Sequence, residues 1–224
     1  MREALAERGT LFAWAAAQGS RDVFHGRGEA YGVDLGPVRA VVRHARRGGL
    51  LGPLLGDRYT GRPRFLHEIA VAESLRGAGI ATPPVLAGVA YTGPLWHRAD
   101  VATERVDGSD LAALVFGEAP PQGALRTQVF GDVGRLVRRL HEAGFIHPDL
   151  QLRNVLIGTG PHGRGAWLLD VDTCRRVAPG DAATRQANLA RFERSWEKWN
   201  RLRGARLTRQ DRDAFEAGYR HGAS

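Results

Sequence analysis

This chain of 224 residues has one cysteine, Cys174, so no intramolecular disulfide can form and nothing in its thiol content points to an oxidising compartment. No apolar run approaches the length a membrane-spanning helix needs. The short apolar stretch from Leu11 to Ala17 could pass for a secretory leader. It is preceded by Glu3 and Glu7 and contains Trp14, however, which fits an amphipathic helix better, and a cytosolic protein is expected. Internal repeats and low-complexity tracts are missing, which argues against a solenoid or a disordered tail. Acidic residues are in deficit: the net charge is +8, and the excess is carried mostly by arginine. Such a surface favours nucleic acid, an acidic membrane face or a phosphorylated substrate, although a compositional bias toward arginine would give the same number and charge alone says nothing about fold.

The length suits one domain, or two small lobes sharing a cleft. Residues 1–18 read as helix. Two β-like runs, 21–24 and 31–35, flank His25-Gly26-Arg27-Gly28-Glu29-Ala30, and the alternating run from Val38 to His44 reads as a half-buried third strand. A helix over 65–76 is stopped by Gly77 and Gly79, and Pro83-Pro84 opens two further strands near 85–90 and 95–106. From Thr127 to Ala143, the apolar residues Val129, Val133, Leu136, Val137 and Leu140 follow a helical period that would pack beneath the loop after it. Composition shifts near Gly108, from strands to mostly helix. The expectation is an α+β, protein-kinase-like bilobal fold. Residues 1–107 form a small β-rich N-lobe (an N-terminal helix, a five-stranded sheet and one helix), and residues 108–224 form a helical C-lobe with the catalytic loop. The hinge is expected around Thr103-Glu104-Arg105-Val106, which places Glu104 and Val106 among the nucleotide-binding candidates.

The chemistry concentrates in His147-Pro148-Asp149-Leu150-Gln151-Leu152-Arg153-Asn154, followed after two apolar strands by Leu168-Leu169-Asp170-Val171-Asp172. An Asp, an Asn five residues later and a second Asp downstream form a phosphoryl-transfer arrangement. Asp149 can orient an attacking hydroxyl and accept its proton late. Asn154 and Asp170 can hold Mg²⁺ against the phosphates of ATP, because Mg²⁺ takes hard oxygen donors and keeps several waters. His147 is expected to pack beneath the loop and to bond the segment carrying Asp170. An extended segment would put Asp170 and Asp172 on one face, leaving Asp172 either an auxiliary metal ligand or a turn cap. Gly26 and Gly28 would let backbone N–H groups approach phosphates, although a glycine-rich hairpin turn reads the same way. Arg43 ends the third strand where protein kinases carry a phosphate-contacting Lys, with Glu68 placed to pair with it, although Arg39, Arg46 and Arg47 lie close by. Only about ten residues separate Asp172 from the helix beginning near Ala182, and no Ala-Pro-Glu segment follows. A peptide-docking platform has no room there. A small-molecule or lipid-linked acceptor is expected, and Gln151, in place of the Lys common in protein kinases, points the same way.

These motifs resemble the lipopolysaccharide-core sugar kinases, and among them the Kdo (3-deoxy-D-manno-octulosonic acid) kinases. The resemblance is carried by Val42-Arg43-His44-Ala45-Arg46-Arg47-Gly48-Gly49-Leu50, Asp57-Arg58-Tyr59, Glu68, Ala78-Gly79-Ile80 with Pro83-Pro84, Ala99-Asp100 with Thr103-Glu104, and the two motifs containing Asp149 and Asp170. It implies an ATP- and Mg²⁺-dependent phosphotransferase acting on the 4-hydroxyl of Kdo on a lipid A precursor, cytoplasmic and peripheral on the inner membrane. The partners it implies are a lipid-linked acidic sugar and the anionic membrane surface, with no nucleic acid. It assigns Asp149 as the catalytic Asp, Asn154 and Asp170 as metal ligands, and Arg43 with Glu68 as the phosphate-contacting pair. Since Kdo carries a carboxylate, Arg46, Arg47, Arg58 and Arg62 are candidates for reading it through a guanidinium fork. Pro148 before the Asp and Gln151 after Leu150 depart from the family's usual small residue and Asn, and Gln151 could alter the sugar pocket. The alternatives are a heptose kinase or small atypical kinase of the same superfamily, or a pseudokinase serving as a basic binding module.

Overall fold

The computed structural model describes residues 9–18, 23–25, 28–45, 57–160, 163–178 and 181–220. Gly26, Arg46, Arg47 and Gly48-Gly49-Leu50 lie outside them. The chain divides into two compact units: residues 1–70 with 83–105, and residues 71–82 with 106–224. The fold is α+β.

The first unit is built on a five-stranded antiparallel sheet in the order β1-β2-β3-β5-β4. Its strands are β1 (Val23–His25), β2 (Glu29–Leu35), β3 (Val38–His44), β4 (Val85–Thr92) and β5 (His97–Glu104). Helix α1 (Leu11–Ala17) is shorter than the helix expected over 1–18, and residues 1–8 of that expectation lie outside the described part. The Thr10 side chain accepts from the Ala13 N–H and caps the helix start. Leu11 and Ala15 of α1 join Val33, Ala40, Val42 and Ala102 in one buried cluster, so the alternation of β3 sends Ala40 and Val42 inward. The unit also contains the first turns of α2 (Arg64–Gly77).

A polar network crosses this apolar layer. Asp100 is fully buried. Its Oδ2 accepts from the Phe12 N–H and the Tyr91 hydroxyl, both at 2.8 Å, and Tyr91 Oη in turn accepts from the Leu11 N–H at 2.7 Å. Two orphan donors at the start of α1 are thereby satisfied from the sheet. His44 lies between two carboxylates, with Nδ1 2.5 Å from Asp100 Oδ1 and Nε2 3.0 Å from Asp57 Oδ2. A ring flanked in this way donates from both nitrogens, which only the imidazolium can do. Its pKa is accordingly raised, chiefly by the hydrogen bond to Asp100, against an opposing effect of burial. Burial pushes the Asp57 pKa up, but the bond from His44 and the charges of His44 and Arg98 outweigh this and lower it.

The second unit is more than the helices expected of it. Alongside α3 (Leu111–Phe116), α4 (Gly123–Glu142), α5 (Ala182–Arg203) and α6 (Arg209–Arg220) it has a three-stranded antiparallel sheet. That sheet is made of β6 (Asp107–Asp110), β8 (Val155–Gly160) and β9 (Gly163–Leu168), in the order β6-β8-β9. A two-stranded ribbon pairs β7 (Phe145–Ile146) with β10 (Arg175–Arg176). Strands β8 and β9 are the two apolar strands expected between Asn154 and Asp170, whereas β6, β7 and β10 are too short to carry a detectable period. Helix α4 buries Val129, Val133, Leu136, Val137 and Leu140, the stripe its spacing predicts. It meets α6 backbone to backbone: a Cβ on Gly134 would fall 2.1 Å from the Phe215 carbonyl oxygen, and one on Gly218 2.2 Å from that of Gly131. Arg126 of α4 grips Asp211 of α6 with two bonds, Nε–Oδ1 at 2.6 Å and Nη2–Oδ2 at 2.8 Å. No helix among the described residues is long and apolar enough to cross a membrane.

The His44 network makes stability depend on pH. Because the folded pKa of His44 lies above its unfolded value, its contribution is complete below the ordinary histidine pKa of about 6.5 and is lost as pH rises through the raised value. Asp57 acts oppositely, losing its contribution as pH falls through its depressed value. Urea unfolding followed from pH 6 upward is expected to show falling stability in the wild type and a flatter profile in His44→Gln.

Candidate functional site

In the first unit, β3 delivers Arg43 on the face opposite Val42, and α2 presents Glu68, which is buried. A buried carboxylate needs a partner, and Arg43 Nη2 donates to Glu68 Oε1 at 2.5 Å. Of the neighbouring arginines considered from the sequence, Arg43 is therefore shown bonded to this carboxylate. No lysine could replace it there, because the only lysine of the chain is Lys198. Gly28 sits in the bend leading into β2. Glu104 ends β5, exposed, with its N–H donated to the Pro84 carbonyl. Arg58 is exposed, with its guanidinium 4.8 Å from the centre of the Trp96 ring. Val106, half-buried, belongs to the second unit just before β6.

The second unit holds the loop that follows β7. Leu150 and Leu152 are fully buried, while Asp149 and Gln151 between and beside them stay partly open. Apolar side chains thus anchor the loop and turn its polar ones outward. His147 is buried and directs Nε2 to the Leu169 carbonyl at 3.0 Å, as expected of a residue packed beneath the loop. The carbonyl can only accept, so Nε2 carries the proton; burial lowers the ring's pKa and keeps it neutral. Asn154 donates Nδ2 to the Asp149 carbonyl at 2.8 Å and, at 3.4 Å, to its carboxylate Oδ2. With the amide nitrogen committed, its oxygen is the free end of the group. The Asn154 carbonyl accepts the Leu169 N–H at 2.9 Å, which ties the Asn154 turn to the segment carrying Asp170.

Asp170 adopts a left-handed conformation, φ 55° and ψ 44°, and is the one non-glycine residue with positive φ among the described residues. An Asp tolerates this region better than most side chains, at a cost that surrounding structure must hold. The next residues, Val171–Thr173, form a 3₁₀ turn. The extended segment expected to put Asp170 and Asp172 on one face is therefore not formed. A left-handed residue leading into a 3₁₀ turn breaks the extended geometry, and a period of two no longer applies. An amide oxygen and a carboxylate are hard donors that suit Mg²⁺ completed by water and phosphate. Among the described residues no group of three or more His, Cys, Asp or Glu side chains has the arrangement of a metal site made by protein alone.

Helix α5 contributes what the sequence motifs do not disclose. Asn188, Arg191 and Ser195, spaced three and four apart, share one helical face and all reach the loop. Asn188 Nδ2 donates to the His147 carbonyl at 2.6 Å, and its Oδ1 accepts the His147 N–H at 3.3 Å. The same oxygen lies 3.1 Å from His141 Nε2, whose Nδ1 faces the Tyr219 hydroxyl at 2.8 Å. Burial lowers the His141 pKa, and a neutral ring with one donor and one acceptor matches those two partners. Ser195 Oγ accepts the Leu152 N–H at 3.2 Å. Arg191 Nη2 lies 2.6 Å from Asp149 Oδ1, while Gln151 Nε2 donates to Oδ2 at 3.0 Å. The available signal was polar residues at helical spacing inside a stripe that also holds Phe192 and Trp196.

A family model described as "Lipopolysaccharide kinase (Kdo/WaaP) family" matches residues 13–219. A 3-deoxy-D-manno-octulosonic acid kinase of Vibrio cholerae is 33% identical over 177 residues, covering 77% of this chain and 72% of its own length. One of Actinobacillus succinogenes is 36% identical over 195 residues, with 84% and 78% covered. One of Haemophilus influenzae is 35% identical over 183 residues, with 77% and 73% covered.

Asn188→Ala is expected to cost roughly 3 kcal/mol in urea unfolding, since it strands both backbone groups of His147 in a buried setting.

Proposed function

Because the chain belongs to the lipopolysaccharide kinase (Kdo/WaaP) family, we propose that it transfers the γ-phosphoryl group of ATP to the 4-hydroxyl of Kdo on a lipid A precursor. The observation that carries this reading is the loop geometry: a carboxylate on a buried, multiply bonded turn, with the Asn154 amide nitrogen turned onto it and the amide oxygen left over. Asp149 orients the acceptor hydroxyl and takes its proton as the oxygen bonds to phosphorus. Asn154 and Asp170 hold Mg²⁺ by their oxygens, and the bound ion supplies charge neutralisation at the phosphate oxygens. Arg43, positioned by Glu68, contacts phosphate as a fixed cation. Gly26, Gly28, Glu104 and Val106 complete the proposed nucleotide-binding set. Arg46, Arg47 and Arg58 are assigned to the acidic sugar, whose carboxylate suits a guanidinium.

We further propose that the enzyme works at an anionic membrane face. From Lys198 to Arg209 the chain carries Lys198, Arg201, Arg203, Arg206 and Arg209 and no acidic residue. Lys198, Arg201, Arg203 and Arg209 are exposed, as is Leu202, at 66%. This corner supports electrostatic attachment with one apolar side chain at the surface.

The deciding assay is ATP- and Mg²⁺-dependent phosphate incorporation into a Kdo-bearing lipid A precursor. Wild type is expected to label the acceptor, and Asp149→Ala to lose about a thousandfold in rate. Mg²⁺-dependent ATP binding without incorporation would redirect the search to other acceptors, heptose first. No ATP binding at all would leave a basic binding module. Vesicle sedimentation checks the surface. Anionic vesicles are expected to retain the wild type and zwitterionic ones not, with Lys198, Arg201, Arg203 and Arg209 changed together to Gln weakening retention about tenfold or more.

A further inference from the structure

Two residues beyond Asp149 stands Gln151, a neutral amide that donates to its carboxylate. The charge comes from another element. Arg191, in the third turn of α5, brings its guanidinium to 2.6 Å from Asp149 Oδ1, partly open to solvent at 33% side-chain exposure. Its position is not left to a flexible stem alone. Asn188, one turn before it, is bonded to both backbone groups of His147, and Ser195, one turn after, accepts the Leu152 N–H. Helix and loop are thus locked in register on either side of the ion pair. A carboxylate turns readily about its Cβ–Cγ bond. Arg191 on one oxygen and Gln151 on the other fix the plane of this one from both sides.

We infer that Arg191 is the positioning residue of the transfer reaction. It holds the Asp149 carboxylate in the orientation that receives the acceptor hydroxyl, and it offsets the repulsion between that carboxylate and the incoming phosphates. It does so as a cation supplied across 42 residues of sequence, in place of one on the loop. The inference rests on the kinase reading above and deepens it.

The test follows phosphate transfer, with acceptor-free ATP hydrolysis measured in parallel, for wild type and three variants: Arg191→Ala, Arg191→Lys, and Arg191→Ala with Gln151→Lys. Arg191→Ala is expected to lower kcat about a hundredfold with KM for ATP within about twofold, since misplacing a reacting group by an ångström has that effect. Arg191→Lys is expected to recover part of kcat. Gln151→Lys is expected to recover part of it in the Ala background, because it returns a cation to the same carboxylate from the loop side. Unaltered kcat in Arg191→Ala would overturn the inference, as would a loss that neither cation relieves, which would mark the side chain as packing only. If no acceptor is labelled by wild type while ATP hydrolysis follows the same order across the variants, the substrate reading falls and the positioning role stands.

Discussion

One amide group, that of Asn188, holds the loop carrying Asp149 to the body of its unit. It satisfies the N–H and the carbonyl of His147 together and faces the ring of His141, so a single side chain joins α4, the loop and α5. Buried backbone groups without partners cost more than most single contacts contribute, so this arrangement is nearly obligatory once the loop is folded inward by Leu150 and Leu152. Everything chemically interesting then hangs from it. Asp149 projects two residues beyond the bonded His147, Asn154 turns back onto Asp149, and the left-handed Asp170 follows the strand pair that returns the chain to Asn154. Removal of the amide would loosen all three together.

Arginine does the electrostatic work at the corresponding points of the structure. Arg43 meets the buried Glu68, Arg126 forks onto Asp211, and Arg191 meets Asp149. In each case the carboxylate is the less exposed partner. Removing the cation would leave an uncompensated charge in a low-dielectric site, which costs far more than the pair contributes. A planar guanidinium presents a fork of N–H donors that matches the geometry of a carboxylate. His44 is the exception that gives the first unit its pH dependence: a titratable cation between two carboxylates, one residue along from Arg43.

Much of this was legible in the sequence, for reasons that can be named. The alternation from Val38 to His44 and the stripe from Val129 to Leu140 are patterns that burial enforces, and both elements form as read. The Asp149, Asn154 and Asp170 series is local, and its order along the chain carries its meaning. The Arg43 and Glu68 pair was available because strand and helix each offered a candidate, although four arginines competed for it. The conformation at Asp170 was not legible, because a left-handed Asp and an extended one look alike in sequence. Nor was Arg191: a polar residue on a half-exposed helix face is ordinarily solvated, and only three-dimensional proximity separates it from Arg194 or Arg201. The β7–β10 ribbon escaped, although β8 and β9 did not, because two residues per side have no period to detect.

The ties between loop and helix span 41, 42 and 43 residues of sequence, at His147–Asn188, Asp149–Arg191 and Leu152–Ser195. Contacts of that separation close late, because the intervening chain must lose its freedom before they form. The carboxylate loop has its chemical groups as soon as Asn154 has been made. It has its working geometry only after α5 has docked. A chain cut between Val171 and Ala187 would carry Asp149, Asn154 and Asp170 and still lack the helix that aims Asp149. The aim of the Asp149 carboxylate thus depends on a docked α5 and would be lost as that helix comes away.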